Sequence, residues 1–232
     1  MSLITGIGKR ATGIESMQSN LNRNHTLYFL ESYRSLPVLK NRCPMVEGYL
    51  EALYRVIQQA LADYPRVCAF RLDLRFPKNM KAEYDSMSNE VISRFIESVK
   101  AKIRHNRMCA RQRNPYAHDT KVRYVWARET GDDQRVHYHA VILVNHDAFF
   151  TLGRFGSEAP NMANRFIEAW ASALGLPLDR TAGLVHFPDN PVYRITRNSQ
   201  LELEAFFQRA SYLCKAETKH FGYGHHGFGA SR

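Results

Sequence analysis

Apolar and polar side chains alternate strictly over Phe70-Arg71-Leu72-Asp73-Leu74-Arg75-Phe76, which predicts a half-buried strand stopped by Pro77. Arg71, Asp73 and Arg75 then share its polar face. Leu50, Leu53, Val56, Ile57 and Leu61 recur at helical spacing between Met45 and Tyr64, and Pro65 ends the pattern, so a helix packed on the main domain is expected there. Val91, Ile92, Phe95, Ile96, Val99 and Ile103 draw a second helical stripe between Ser88 and His105, and Ala159 to Leu174 a third. Two apolar runs, Val122 to Ala127 and Val136 to Val144, flank the turn material Thr130-Gly131-Asp132-Asp133 and read as a strand hairpin. Gly183 to Phe187 and Val192 to Ile195 read as short strands around Pro188-Asp189-Asn190-Pro191. Ser199-Gln200-Leu201-Glu202 has capping-box spacing and opens a last helix, whose stripe is Leu203, Phe206, Phe207, Ala210 and Cys214. Residues 1–25 read as flexible, and His25 to Arg42 shows no clear period.

The order strand, helix, two strands, helix, two strands, helix predicts an α+β fold with a largely antiparallel central sheet and flanking helices. At 232 residues the chain is long enough for one main domain, expected over 66–232, behind a flexible arm and helical appendage over 1–65. Hydrophobic residues make up 44%, yet no apolar run approaches the roughly 20 residues a membrane helix needs. The first 23 residues lack the apolar centre of a secretory signal, so a cytoplasmic location is expected. Cys43, Cys68, Cys109 and Cys214 are scattered without a Cys-x-x-Cys pair, which argues against zinc or redox chemistry.

A net charge of +10 favours a polyanionic partner. The charge is concentrated between Lys100 and Arg123, where Lys100, Lys102, Arg104, Arg107, Arg111, Arg113, Lys121 and Arg123 face Asp119 as the sole acid. The cations Arg104, Arg107, Arg111, Arg113 and Lys121, together with Arg71, Arg75 and Lys219, are candidate DNA phosphate contacts.

The chemistry is concentrated in His137-Tyr138-His139. Two imidazoles two residues apart on a strand point the same way, roughly 7 Å apart at Cα, a spacing that can grip a metal. Glu129 stands eight positions upstream, and a hairpin in even register brings it to the same face. Two imidazoles and a carboxylate make a three-ligand divalent site with open positions. A cupin-type site wants a glutamate where Ile142 and Leu143 stand, and a metallo-β-lactamase site wants Asp-His where Val141 and Ile142 stand; neither fits. On the last helix, Tyr212 and Lys215 are neighbours at i and i+3, so a phenol and an ammonium can address one point, and Tyr212 alone of 12 tyrosines has a lysine three residues on. His146 and His186 read as structural. His220, His225 and His226 read as part of a solvated or DNA-contacting tail.

Glu129, His137-Tyr138-His139 and Tyr212-Leu213-Cys214-Lys215 stand in the order and spacing of the HUH endonucleases, single-strand DNA nickases that include rolling-circle replication initiators and relaxases. With Trp126-Ala127-Arg128-Glu129, the histidine strand running into Asn145, and Ser211 to Lys215 followed by Thr218-Lys219, the chain resembles the filamentous-phage (inovirus) replication initiators, also called the YagK/YfjJ C-terminal domain family. The resemblance covers about Val67 to Arg232. It implies a Rep-like, ferredoxin-like palm, a Mg²⁺ or Mn²⁺ ion on His137, His139 and Glu129, Tyr212 as nucleophile and Lys215 as its helper. The reaction it implies is nicking and joining of single-stranded or extruded origin DNA through a 5′-phosphotyrosine, which starts rolling-circle replication of a phage, prophage or mobile element. The alternatives are a non-cleaving DNA-binding regulator on the same fold, or a transposase or relaxase of the same superfamily. Position 216 is Ala216, so the chain is of the single-tyrosine kind unless Tyr223 enters. Phe70 to Phe76 would be the family's first motif, with no chemistry assigned to Asp73. No helicase motif is present, so a host helicase and polymerase in a bacterial cytoplasm are the implied partners.

Overall fold

The computed structural model describes residues 16–19, 24–78, 89–131, 135–157, 159–217 and 226–232. Its centre is an antiparallel sheet. β6 (Arg66–Arg75) pairs with β8 (Val136–Asn145), β8 with β7 (Arg123–Thr130), and β7 with the last strand, β11 (Phe228–Ala230). The other edge of β6 is shared by β9 (Val185–His186) and β10 (Val192–Thr196). The α+β reading with a largely antiparallel sheet and flanking helices holds.

Both sheet faces are covered. On one, Cys68, Phe70, Leu72 and Leu74 of β6 and Tyr138, Ala140, Ile142 and Val144 of β8 pack beneath α2 (Glu90–Arg113) and α3 (Met162–Leu174). On the other, Val67, Ala69, Val125, Ala127, Val141 and Leu143 pack beneath α1 (Glu47–Asp63) and α4 (Gln200–Ala210). The alternating strand was expected to be half buried. With helices on both faces, Arg71 is only 5% exposed.

The second face changes character along its length. Past Val67, Ala69, Val141 and Leu143 the same rows of side chains continue as Arg71 and Asp73 on β6 and His139 and His137 on β8, while Val125 and Ala127 on β7 give way to Glu129. The period of two that builds the core therefore delivers a polar cluster at one end of the sheet.

Four departures from the expected elements matter. The expected helix over Met45 to Tyr64 begins at Glu47, because Met45 and Val46 form strand β5, which pairs with β2 (Thr26–Tyr28), itself paired with β1 (Ser16–Gln18). The aperiodic stretch from His25 to Arg42 contains a hairpin of β3 (Ser32–Tyr33) and β4 (Leu36–Pro37), whose turn residues Arg34 and Ser35 both have positive φ, the type I′ geometry that matches strand twist. The helix expected to end near His105 continues to Arg113. The last helix stops at Ala210, and Tyr212 lies on a 3₁₀ turn, Ser211–Cys214, instead of on the helix. Ser199 caps α4 as expected, accepting from the Glu202 N–H, but the Glu202 carboxylate turns to Thr196 N and Arg194. All four cysteines are free. Among the described residues no helix is long and apolar enough to cross a membrane.

Candidate active site

Direct cross-strand pairing of Glu129 with His137, and of His139 with both Ala127 and Asp73, sets the site. The even register expected of the hairpin is the one formed. One ligand atom each from Glu129, His137 and His139 lies within 4.8 Å of the others, and the two imidazole Nε2 atoms are 3.1 Å apart. Glu129 Oε2 stands 3.4 Å from His139 Nε2. Two imidazole nitrogens and one carboxylate oxygen, gathered this closely, are a donor set that can hold a divalent metal ion.

His139 Nδ1 donates to Asp73 Oδ1 at 2.6 Å, a contact that fixes the ring and leaves Nε2 facing His137 and Glu129. Burial alone would lower the His139 pKa; the bonds to Asp73 and Glu129 outweigh it and raise it above the ordinary imidazole value. Burial, and then the neighbouring His139, push His137 the other way. Burial would raise Asp73, and the His139 bond more than reverses this. Asp73 is the site residue that sequence reasoning set aside. Its signal was the strand alternation that put it on the polar face with Arg71 and Arg75.

The 3₁₀ turn brings the phenol to the cluster. With three residues per turn, i and i+3 side chains eclipse, so Tyr212 and Lys215 stack more directly than on an α-helix. Lys215 Nζ donates to Tyr212 Oη at 2.7 Å and lies 2.9 Å from Glu129 Oε2. The Tyr212 ring meets the His139 ring edge-on at 5.1 Å, and the Arg42 guanidinium lies 5.8 Å from the Tyr212 ring centroid. Lys215 is 3% exposed. Burial works against its charge, but Tyr212 and Glu129 raise its pKa overall, so it is an ammonium at neutral pH. Tyr212 as a residue, by contrast, is partly exposed.

The turn is tied down from the other end of the chain. Leu39 N donates to Ser211 Oγ at 3.0 Å, Met45 bridges to Lys215, and Ala216 N donates to Pro44 O at 2.9 Å. None of these contacts has a local sequence signature.

Beside the histidines opens a cleft of about 670 Å³, edged by Arg75, Lys78, Arg135, His137 and His139. Arg75 is exposed at its rim. Arg71 does not reach it; it is buried, where desolvation and then Arg209 lower its pKa. Arg104, Arg111, Arg113 and Lys121 are exposed at the opposite end of β7, and Arg107 is half-buried there. Lys219, His220, Tyr223 and His225 lie outside the described residues. His226 is exposed; its carbonyl accepts from Asn89 Nδ2 at 2.8 Å. His186 is exposed opposite Asp73, and His146 lies 3.7 Å from Asp147.

The profile of the YagK/YfjJ C-terminal domain family matches residues 30–231. The chain is similar to a protein of Escherichia coli (strain K12) called uncharacterized protein YfjJ, at 31% identity over 197 residues, 81% of this chain and 95% of that one. It is also similar to uncharacterized protein YagK of the same strain, at 35% identity over 177 residues, 73% of this chain and 85% of that one. No solved structure matches it.

Proposed function

The chain belongs to the YagK/YfjJ C-terminal domain family, and on that premise we propose that it is a single-tyrosine HUH-type nickase and joinase of single-stranded DNA that starts rolling-circle replication of a filamentous phage, prophage or mobile element. The observation that carries this reading is the Lys215 ammonium shared between Tyr212 Oη and Glu129 Oε2, at 2.7 and 2.9 Å, with His139 on the same carboxylate oxygen. A nucleophile, its activating charge and a metal-type donor set converge on one volume, with a cationic cleft beside them.

The roles follow from the contacts. A free phenol has a pKa of about 10 and needs help at neutral pH. Lys215 donates to Oη, so it stabilises the phenolate and aims it, and it does not act as the base. The phenol proton leaves to solvent, to which the Tyr212 residue is partly exposed. Oη attacks the phosphorus, an Oη–P bond forms, the P–O3′ bond breaks, and the released 3′-oxygen takes up a proton; the 3′-hydroxyl can later reverse the step. Glu129, His137 and His139 would hold a Mg²⁺ or Mn²⁺ ion, which when bound supplies charge neutralisation and orientation at the non-bridging phosphate oxygens, worth several kcal/mol in general. Asp73 keeps His139 in the ligating tautomer. Arg75, Lys78 and Arg135 line the path for the strand's phosphates.

The test is incubation of the protein with labelled single-stranded origin oligonucleotides and Mn²⁺, followed by mass spectrometry of the covalent adduct. A 5′-phosphodiester on Tyr212, absent in Tyr212→Phe and abolished by chelation, is the expected result. An adduct that persists in Tyr212→Phe, or a protein that shifts the DNA without ever cutting it, overturns the reading.

A further inference from the structure

A second cationic surface lies away from the site. Lys100, Arg104, Arg107 and Arg111 follow one another at spacings of four, three and four on α2, which puts them within roughly 60° of one another on one flank of the helix, over about 16 Å. Like charges at these spacings destabilise a helix. The partners that would offset them are few: Glu97 pairs with Lys100 and Asp119 Oδ2 lies 3.3 Å from Arg111, while Arg104 has no ion pair among the described residues. Arg107 is built into the wall, donating to the His118 carbonyl and to Asn106 Oδ1 and packing 4.5 Å over the Phe149 ring.

This flank is one wall of a groove of about 720 Å³, whose other wall carries Thr120 and Lys121, with Lys121 anchored to Asp63 at 2.9 Å. None of the described residues lining it is aromatic. Proteins that grip single strands use aromatic platforms for the bases, whereas duplex backbone needs only a row of cations. The groove opens where β7 begins, and Glu129 stands six residues further along that strand, roughly 20 Å away.

We propose that the groove along α2 is a second nucleic-acid site, one that holds the phosphates of base-paired DNA while the Tyr212 site takes a different segment. It is carried by the cation stripe and the groove themselves and stands whether or not Tyr212 cuts.

The experiment is fluorescence anisotropy of the full chain with a labelled duplex, titrated at several salt concentrations. Arg104→Glu/Arg111→Glu is expected to weaken duplex binding tenfold or more and to make the log K against log salt slope shallower by about 2, since each phosphate contact contributes about 0.9. Circular dichroism checks that this variant folds. His137→Ala and Tyr212→Phe are expected to bind duplex within about twofold of the unaltered chain, because neither touches the groove. Unchanged duplex affinity in the folded double variant overturns the proposal. So does polyglutamate competing as well as duplex, or duplex binding lost in His137→Ala to the same extent. Absence of nicking in the separate assay leaves all of these readouts intact.

Discussion

Asp73 Oδ1 lies 2.6 Å from His139 Nδ1, across a cross-strand pair in which the two residues are direct partners. The carboxylate settles which nitrogen of His139 carries the proton and therefore which one faces His137 and Glu129. Asp73→Ala is expected to weaken Mn²⁺ binding about 10–100-fold, as losing such a supporting carboxylate does elsewhere. Isothermal calorimetry reads this, and Asp73→Asn, which retains an accepting oxygen, should recover part of the loss. An affinity unchanged in both variants would show that Asp73 does not orient the ring for an ion.

Lys215 and Glu129 are 3% and 2% exposed at their side chains, 2.9 Å apart. Removing one partner of a buried pair strands the other charge. Lys215→Met is expected to cost about 3–5 kcal/mol of unfolding free energy in urea, and Glu129→Gln/Lys215→Met to recover most of it. Tyr212→Phe, which removes one acceptor from the buried ammonium but leaves Glu129 in place, should cost less, about 1–2 kcal/mol. Equal losses in all three variants would mean that the ammonium is not the centre of the cluster.

How far the sequence spoke for this site follows from period and length. The strand period of two and a short turn were enough to put Glu129 with His137 and His139, because one register keeps every apolar partner in the core. The i, i+3 spacing of Tyr212 and Lys215 survived a change of helix type. The change itself has no local signature; the turn it produces is held by a bridge between Lys215 and Met45, residues far apart in sequence. Alternation separates two faces without saying what covers either, so it makes Arg71 a surface residue; in the fold Arg71 is buried, with Arg209 of α4 and Tyr193 of β10 near its guanidinium. Strands of two or three residues between Thr26 and Val46 are too short to show any period.

Gly229 of β11 lies flat against Trp126 of β7, where an added Cβ would stand 2.4 Å from Trp126 Cζ2. Neither the strand nor the indole has room to yield fully. Gly229→Ala is expected to destabilise the fold by about 1–3 kcal/mol, with a shift in tryptophan emission reporting the displaced indole. A variant as stable as the parent would place β11 elsewhere.

Asp63 accepts from Arg123 Nε and Nη2 at 3.1 and 2.7 Å and from Lys121 Nζ at 2.9 Å. Burial would raise its pKa, but the bonds to Lys121 and Arg123 hold it below the ordinary carboxylate range. A depressed carboxylate contributes stability that is complete above the unfolded value and is lost as pH falls through the folded one. Asp63→Asn should therefore be less stable at neutral pH by about 0.5–1 kcal/mol, and the gap should narrow as pH falls below the ordinary aspartate range. Chemical denaturation at a series of pH values measures it; a gap independent of pH would remove the ion pairs from the account.

The phenol of Tyr212 is aimed by distant anchors more than by its own turn. Leu39 reaches Ser211 across 172 positions of sequence, with the Met45 bridge and the Pro44 carbonyl close by. A shortened chain that starts at α1 would lose these anchors of the Tyr212 turn, together with the buried Tyr33, Leu36, Val38 and Met45. Under the proposed function, such a chain is expected to lose adduct formation on Tyr212 while Glu129, His137 and His139, all carried by the central sheet, stay gathered.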